Sequence, residues 1–349
     1  MVALTNKLIQ LIRYVLSYPL SLIRITLPVF IGKKVYGSSS YEFYLEFNSS
    51  YINGKTWFLE MLPDFVFNLD YSQFIFFKYF LIIVILCSSI GLLGRLNLLI
   101  LAGYSYLLFG IGEGYGIFDH HTSLPAQVLF ALALVPGSMK LSVDNILVTF
   151  IRKRKNLFSY NPTPKWGFNL VLALVAVTYF TAGLSKIRYG GLKWMDGSTL
   201  SFYLKERTDN YAKQGEAQLV IGDATMPSNK KWKDPFGFVA HTYGNYQTVK
   251  SKNAMADYVA NNGFLVALLS IGSLLFELLA FIVFINSRYR NMFLITAILF
   301  HLSIGELMGI SFRQYRLICL FLIDWKLIFD TVIGIAQQKK LKLIRVRSN

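Results

Sequence analysis

Apolar residues run along this chain in long stretches, separated by short polar segments. A helix needs about 20 apolar residues to cross the hydrocarbon layer of a membrane. Stretches of that kind predict spans near 11–32, 74–94, 97–118, 122–141, 166–186, 263–285, 291–311 and 314–335. The pattern therefore predicts an all-α, polytopic integral membrane bundle of about eight transmembrane helices (roughly 7–9) with a small extracytoplasmic loop cap. The first stretch contains Arg13, Pro19 and Arg24, so lying in the interface is the alternative to crossing. The last is interrupted by Asp324, Lys326 and Asp330, which makes a half-span its alternative. No small-residue cleavage site follows the first apolar stretch, so a removable signal peptide is not expected.

Composition agrees with this reading. Hydrophobic residues make up 54% of the 349 and charged residues 15%, against about 25% charged in ordinary soluble domains. A soluble enzyme, a disordered regulator and a disulfide scaffold are disfavoured. The net charge of +16 fits basic loops held on the cytosolic face better than nucleic-acid binding, for which no module is visible. Cys87 and Cys319 both lie in apolar runs, so neither a disulfide framework nor a metal site is expected.

The basic loops set an orientation. Residues 151–165 carry Arg152, Lys153, Arg154, Lys155 and Lys165 without an acid, Arg288 and Arg290 mark a second turn, and the tail carries Lys339, Lys340, Lys342, Arg345 and Arg347. With eight spans all three fall on the cytosolic side, as do both termini. Residues 1–336 then form one transmembrane domain with an extracytoplasmic insert at about 187–262, and 337–349 form a basic cytosolic tail.

Ionisable groups inside apolar stretches are functional candidates. Lys186 closes one span and is read either as a lysine snorkelling to the headgroups or as a partly desolvated general base. Ala182 and Gly183 would let a neighbouring helix approach closely and draw the lysine inward. His120 and His121 open another span, as interfacial residues or with one ring facing the interior. His301 and Glu277 lie near mid-span; a carboxylate there must be protonated or paired, with His301 or a basic residue as the partner. Arg313 closes the outer end of its span, against lipid phosphate or an anionic substrate. By depth alone these residues converge toward an outward-opening pocket.

Several segments resemble a known family. Phe118-Asp119-His120-His121-Thr122-Ser123-Leu124 and then Ser142-Val143-Asp144 resemble the histidine-containing helix of the vitamin K-dependent γ-carboxylases, whose membrane part is shared with HTTM (horizontally transferred transmembrane) proteins. Tyr179-Phe180-Thr181-Ala182-Gly183-Leu184-Ser185-Lys186-Ile187, followed by Trp194-Met195-Asp196-Gly197, resembles the family's aromatic-x-x-Ala-Gly-x-x-Lys and Trp-x-x-Gly stretch. Glu277, Phe300-His301 and Gly309-Ile310-Ser311-Phe312 match later helices. Ser185 stands where the family has a second lysine, and His120 where it has an asparagine.

The resemblance implies an HTTM-like helical domain over roughly 15–325, with Lys186, His121 and His301 in catalytic roles and Lys186 as the general base. His120, Glu277, Trp194 and Arg313 are implied pocket residues. The implied cofactor is a reduced vitamin K or menaquinone-type quinol, with no metal. The implied partners are the lipid bilayer and an exported peptide, as substrate or as client, with no nucleic acid. Two other classes stay open: a non-enzymatic accessory protein for maturation or export of a secreted peptide and, less favoured, a transporter. Lys186→Ala is expected to abolish an activity without preventing insertion.

Overall fold

The structure, a computed structural model, describes residues 2–37, 61–63, 70–114, 123–152, 164–190, 194–197, 200–201, 204, 233–234, 237–238, 253–308 and 312–335. Nearly all of these are helical. The helices are α1 (Val2–Leu16), α2 (Pro19–Gly37), α3 (Tyr71–Ile90), α4 (Gly94–Gly114), α5 (Ser123–Leu134), α6 (Val143–Ile151), α7 (Lys165–Ser185), α8 (Ala254–Asn261), α9 (Gly263–Leu278), α10 (Ser287–Met308), α11 (Arg313–Leu322) and α12 (325–335). A 3₁₀ segment, Ala280–Phe284, follows α9, and one π-helical turn, Lys186–Gly190, prolongs α7. Within residues 187–262, Lys233–Asp234 pairs antiparallel with Gly237–Phe238.

α5 lies at the centre. Leu124, Ala126, Val128, Leu129, Ala131, Leu132 and Ala133 are all buried, so it is apolar on almost every side. Around it pack α2, α4, α7 and α11; α3 covers α2 and α4, and α9 and α10 complete the far side. The core runs from Ile23 and Leu27 of α2 through Val171 and Val175 of α7 to Phe293 and Ala297 of α10 and Ile318 and Leu322 of α11. Outward-facing residues remain apolar: Phe76, Ile83, Leu86, Leu268, Leu275 and Leu299 are exposed. A soluble bundle would place polar groups there; a lipid-facing one has no need to.

Two helices, Lys165–Arg188 and Ser287–Met308, are long and apolar enough to cross a membrane, and two bent pairs raise the number to four among the described residues. The expected spans are broken where local chemistry breaks them. The first bends by 72° between Lys7–Leu16 and Pro19–Gly32. Pro19 starts α2 as an N1 proline and disfavours helical backbone at the residue before it. α1 is thereby turned away from α2. α9 is preceded by α8 at 95°, because Asn262 caps α9 instead of continuing α8. The last stretch is divided at Asp324, whose carboxylate accepts from the Leu327 amide at 3.1 Å and starts α12.

One end of the bundle is stitched by polar contacts. Arg24 of α2 is fully buried within the stripe Leu20, Ile23, Leu27 and Ile31. Its guanidinium donates to the carbonyls of Ser88 and Ser89 (2.7 Å each), Ser138 (3.0 Å) and Leu141. It thus satisfies carbonyls at the C-terminus of α3 and in the 135–142 turn that no amide reaches. Gly91, at φ +73°, is required here twice: an added Cβ would lie 2.4 Å from Ser142 Cβ and 2.7 Å from an Arg24 nitrogen. Asp144 accepts from the amides of Leu93 (2.9 Å) and Gly94 (2.8 Å), capping α4 from a distant segment. Arg290 meets Asp324 at 3.1 Å while its guanidinium lies 5.0 Å from the Phe168 ring, and Arg13 meets Asp330 at 2.7 Å. Gly167 packs on Val135 and Pro136, so the start of α7 belongs to this end as well. The Arg288–Arg290 turn and the start of α7 therefore share one end. Lys186, Trp194 and the start of α9 lie toward the other.

Candidate functional site

α7 carries Gly183 on the face turned to α9. A Cβ there would lie 3.1 Å from Glu277 Cβ and 3.2 Å from a Leu278 methyl, so the small residue sets the helix separation. One residue beyond Ser185 the backbone widens into the π-turn, which starts with Lys186. Insertions of this kind re-aim the side chains around them. The Lys186 ammonium then donates to Glu277 Oε1 at 2.6 Å. The two side chains are 18% and 6% exposed, so the pair lies inside the bundle. Glu277's partner is the lysine, not His301, and Lys186 is turned inward instead of snorkelling.

Aromatic rings close the pair off. Lys186 Nζ lies 4.7 Å from the Trp194 ring centre and 5.9 Å from that of Phe300, the nearer within cation–π range. Trp194 is brought there by the short helical segment ending at Gly197. Gly197, at φ +83°, packs against Val266 and Ala267 of α9, where a Cβ would approach to 2.5 Å. The Trp-x-x-Gly spacing thus seats the indole beside the amine. Among the described residues, Glu277 Oε2 and Trp194 Nε1 are buried and have no hydrogen-bond partner, as has Ser270 Oγ two turns earlier on the same face of α9. A buried acceptor and a buried donor therefore flank the amine with unused capacity.

His301 occupies an adjoining aromatic nest. Its ring centre is 4.5 Å from Phe312, 5.4 Å from Tyr315, 5.6 Å from Tyr179 and 5.7 Å from Phe300. Phe300 borders both the histidine and the lysine. Tyr179 and Cys319 lie 4.0 Å apart, hydroxyl to sulfur, on the inner side of the nest. Arg313 opens α11 with an exposed side chain. His120 and His121 lie outside the described residues. Lys186, Glu277 and Trp194 therefore meet, His301 stands one ring away, and Arg313 is turned to the surface. An open groove of about 400 Å³ on the outward face of α7, lined by Thr181, Leu184, Ser185, Ile187 and Arg188, does not include the paired groups. Among the described residues no three His, Cys, Asp or Glu side chains form a metal-binding group.

In the sequence Arg24 stands out only as a break in an apolar run. Its acceptors are main-chain carbonyls, which have no sequence signature. Ser142 and Asp144, noted only for their family likeness, have structural roles: Ser142 caps α6 through the Asn145 amide and Asp144 caps α4.

Comparison with protein-family models, with curated proteins and with solved structures gives no match to this chain. The arrangement is judged on its chemistry: a buried amine–carboxylate pair at a junction of two helices, walled by indole and phenyl rings.

Proposed function

We propose that this chain is a multi-pass membrane enzyme of the γ-carboxylase-like, HTTM type. In this reading about eight segments enter or cross the bilayer, the basic loops and both termini are cytosolic, and Lys186 acts as a general base toward the extracytoplasmic side. The substrate is a lipid-soluble quinol, an exported peptide, or both. The observation that carries the reading is the interior Lys186–Glu277 pair at 2.6 Å. A lysine that only anchored a helix end would extend into the headgroups. Stability is a weak reason for a buried ion pair, since desolvation offsets much of the Coulombic gain.

The residues fit a reduced vitamin K or menaquinone-type quinol. The Trp194 and Phe300 rings offer flat walls, Trp194 Nε1 a hydrogen-bond donor and Glu277 Oε2 an acceptor. Such a quinol, when bound, supplies the reducing power and the strong base needed to add carbon dioxide to a glutamate side chain. The protein's part is proton handling. Within the pair, transfer of a proton from Lys186 Nζ to Glu277 Oε1 leaves a neutral amine and a neutral acid, and that amine can take a proton from a hydroxyl beside it. Glu277 fixes the direction of the amine, while Trp194 and Phe300 exclude water. His301 would complete the wall on the far side of Phe300.

A second reading is a non-enzymatic accessory protein for maturation or export of a secreted peptide. The close packing of Gly183 on Glu277 favours it, because the pair then only fastens α7 to α9. Mass spectrometry of small molecules carried by the detergent-extracted protein separates the two. The enzyme reading expects a naphthoquinone-type molecule with the wild type and clearly less with Trp194→Leu. Wild-type protein that carries none would leave the accessory reading.

A further inference from the structure

α6 buries none of its residues. Yet Val143, Ile146, Leu147, Phe150 and Ile151 recur at the i, i+3, i+4, i+7, i+8 spacing of one helical face, with Asn145, Thr149 and Arg152, and the exposed Val148, on the other. That apolar face is left outside the bundle: Phe150 is 82% and Ile151 74% exposed. The start of the helix is fixed by Ser142 and Asp144, so α6 leaves the bundle at the end where α3, α4 and α5 meet. Asp144 is the helix's one acid, and its carboxylate is engaged by the Leu93 and Gly94 amides. From there to Lys165 the sequence has no further acid but carries Arg152, Lys153, Arg154 and Lys155. Trp166, exposed in the first turn of α7, lies at the same end, as interfacial tryptophans do.

We infer that α6 is an in-plane interfacial helix that docks on an anionic lipid surface. Its apolar face enters the boundary between headgroups and acyl chains, and the basic residues that follow it meet lipid phosphates. Charge complementarity selects this occupant. Four consecutive bases in a segment without an acid, next to an exposed Phe-Ile edge, match a surface that is negative and greasy at once, whereas a zwitterionic surface would make no use of the bases. The inference does not depend on what Lys186 does.

The test uses the full chain with Phe150→Cys carrying an environment-sensitive fluorophore, the unsubstituted chain serving as the labelling control. It is reconstituted in vesicles of phosphatidylcholine alone or mixed with phosphatidylglycerol. The expected result is blue-shifted emission in the mixed vesicles, with strong quenching by shallow doxyl lipids and little by iodide in the water. Reversal of charge at Arg152→Glu, Lys153→Glu and Arg154→Glu should shift the emission to the red there and leave it unchanged in phosphatidylcholine. High salt should do the same by screening. Iodide quenching as strong as for the same fluorophore free in water would overturn the proposal. So would identical behaviour in both lipids with no effect of charge reversal, or protection that persists in detergent and disappears on dilution, which would mark a second copy of the chain. Ile151→Cys reads the same face if Phe150→Cys is poorly folded.

Discussion

Arg24→Leu should cost this protein most of its stability. The side chain is fully buried, and leucine would match the apolar stripe in which it sits. Hydropathy alone therefore anticipates a gain. The hydrogen bonds anticipate the reverse, because the carbonyls of Ser88, Ser89, Ser138 and Leu141 all lose a donor, and of the four Ser138 keeps another, the Ser21 hydroxyl at 3.0 Å. Each buried polar group left without a partner costs about 1–3 kcal/mol. Allowing for partial relaxation, the expected loss is roughly 4 kcal/mol or more, a large fraction of a typical total. Arg24→Lys should recover only part, since one ammonium has three donors and no planar fork. Gly91→Ala should resemble a weaker Arg24 variant, because its Cβ would press on the guanidinium. The fraction of monodisperse protein left after heating in detergent reads all three. Arg24→Leu at or above the wild type would mean that these carbonyls find water or other donors.

The second large effect is expected at the Lys186–Glu277 pair, and it should be strongly non-additive. Lys186→Met leaves a carboxylate buried without its cation, and Glu277→Gln leaves the ammonium without its anion. Breaking a buried pair on one side typically costs about 3–5 kcal/mol. The double variant Lys186→Met/Glu277→Gln removes both charges and should lie within about 1–2 kcal/mol of the wild type. Single variants that each cost less than about 1 kcal/mol would place the pair in water. This coupling also changes how a lysine substitution must be read. Lys186→Ala alone, the obvious test from the sequence, strands Glu277 and confounds lost activity with lost folding.

Lys186 and Glu277 were both visible in the sequence as ionisable groups inside apolar stretches. That they face each other was not, because 91 residues separate them and helix depth alone leaves rotation about each axis undefined. Gly183 was the best pointer: a small residue three positions before the lysine marks the face of closest approach. The helical class followed directly from the length of the apolar runs, but continuity within them did not. Pro19 bends the first stretch by 72° without ending its apolar run, so a window average passes over it, whereas the 95° turn at Asn262 falls at the boundary where the predicted stretch 263–285 begins. Asp324 is legible as an interruption, since a carboxylate that caps a new helix start lowers the hydropathy of its window too. The aromatic nest around His301 draws on three helices and the residue before α11, and nothing in one stretch of sequence announces it.

What matters most is whether the Lys186 amine works as a base or only fastens α7 to α9. The doubly neutral variant separates the two, because it removes the amine together with its carboxylate partner and is expected to keep the fold. Purified wild type and Lys186→Met/Glu277→Gln, shown equally monodisperse, are supplied with a reduced naphthoquinone under air, and formation of the epoxide is followed by chromatography. Epoxide is expected from the wild type and none above background from the double variant. Epoxide formation by the double variant at the wild-type rate would contradict a base role for Lys186.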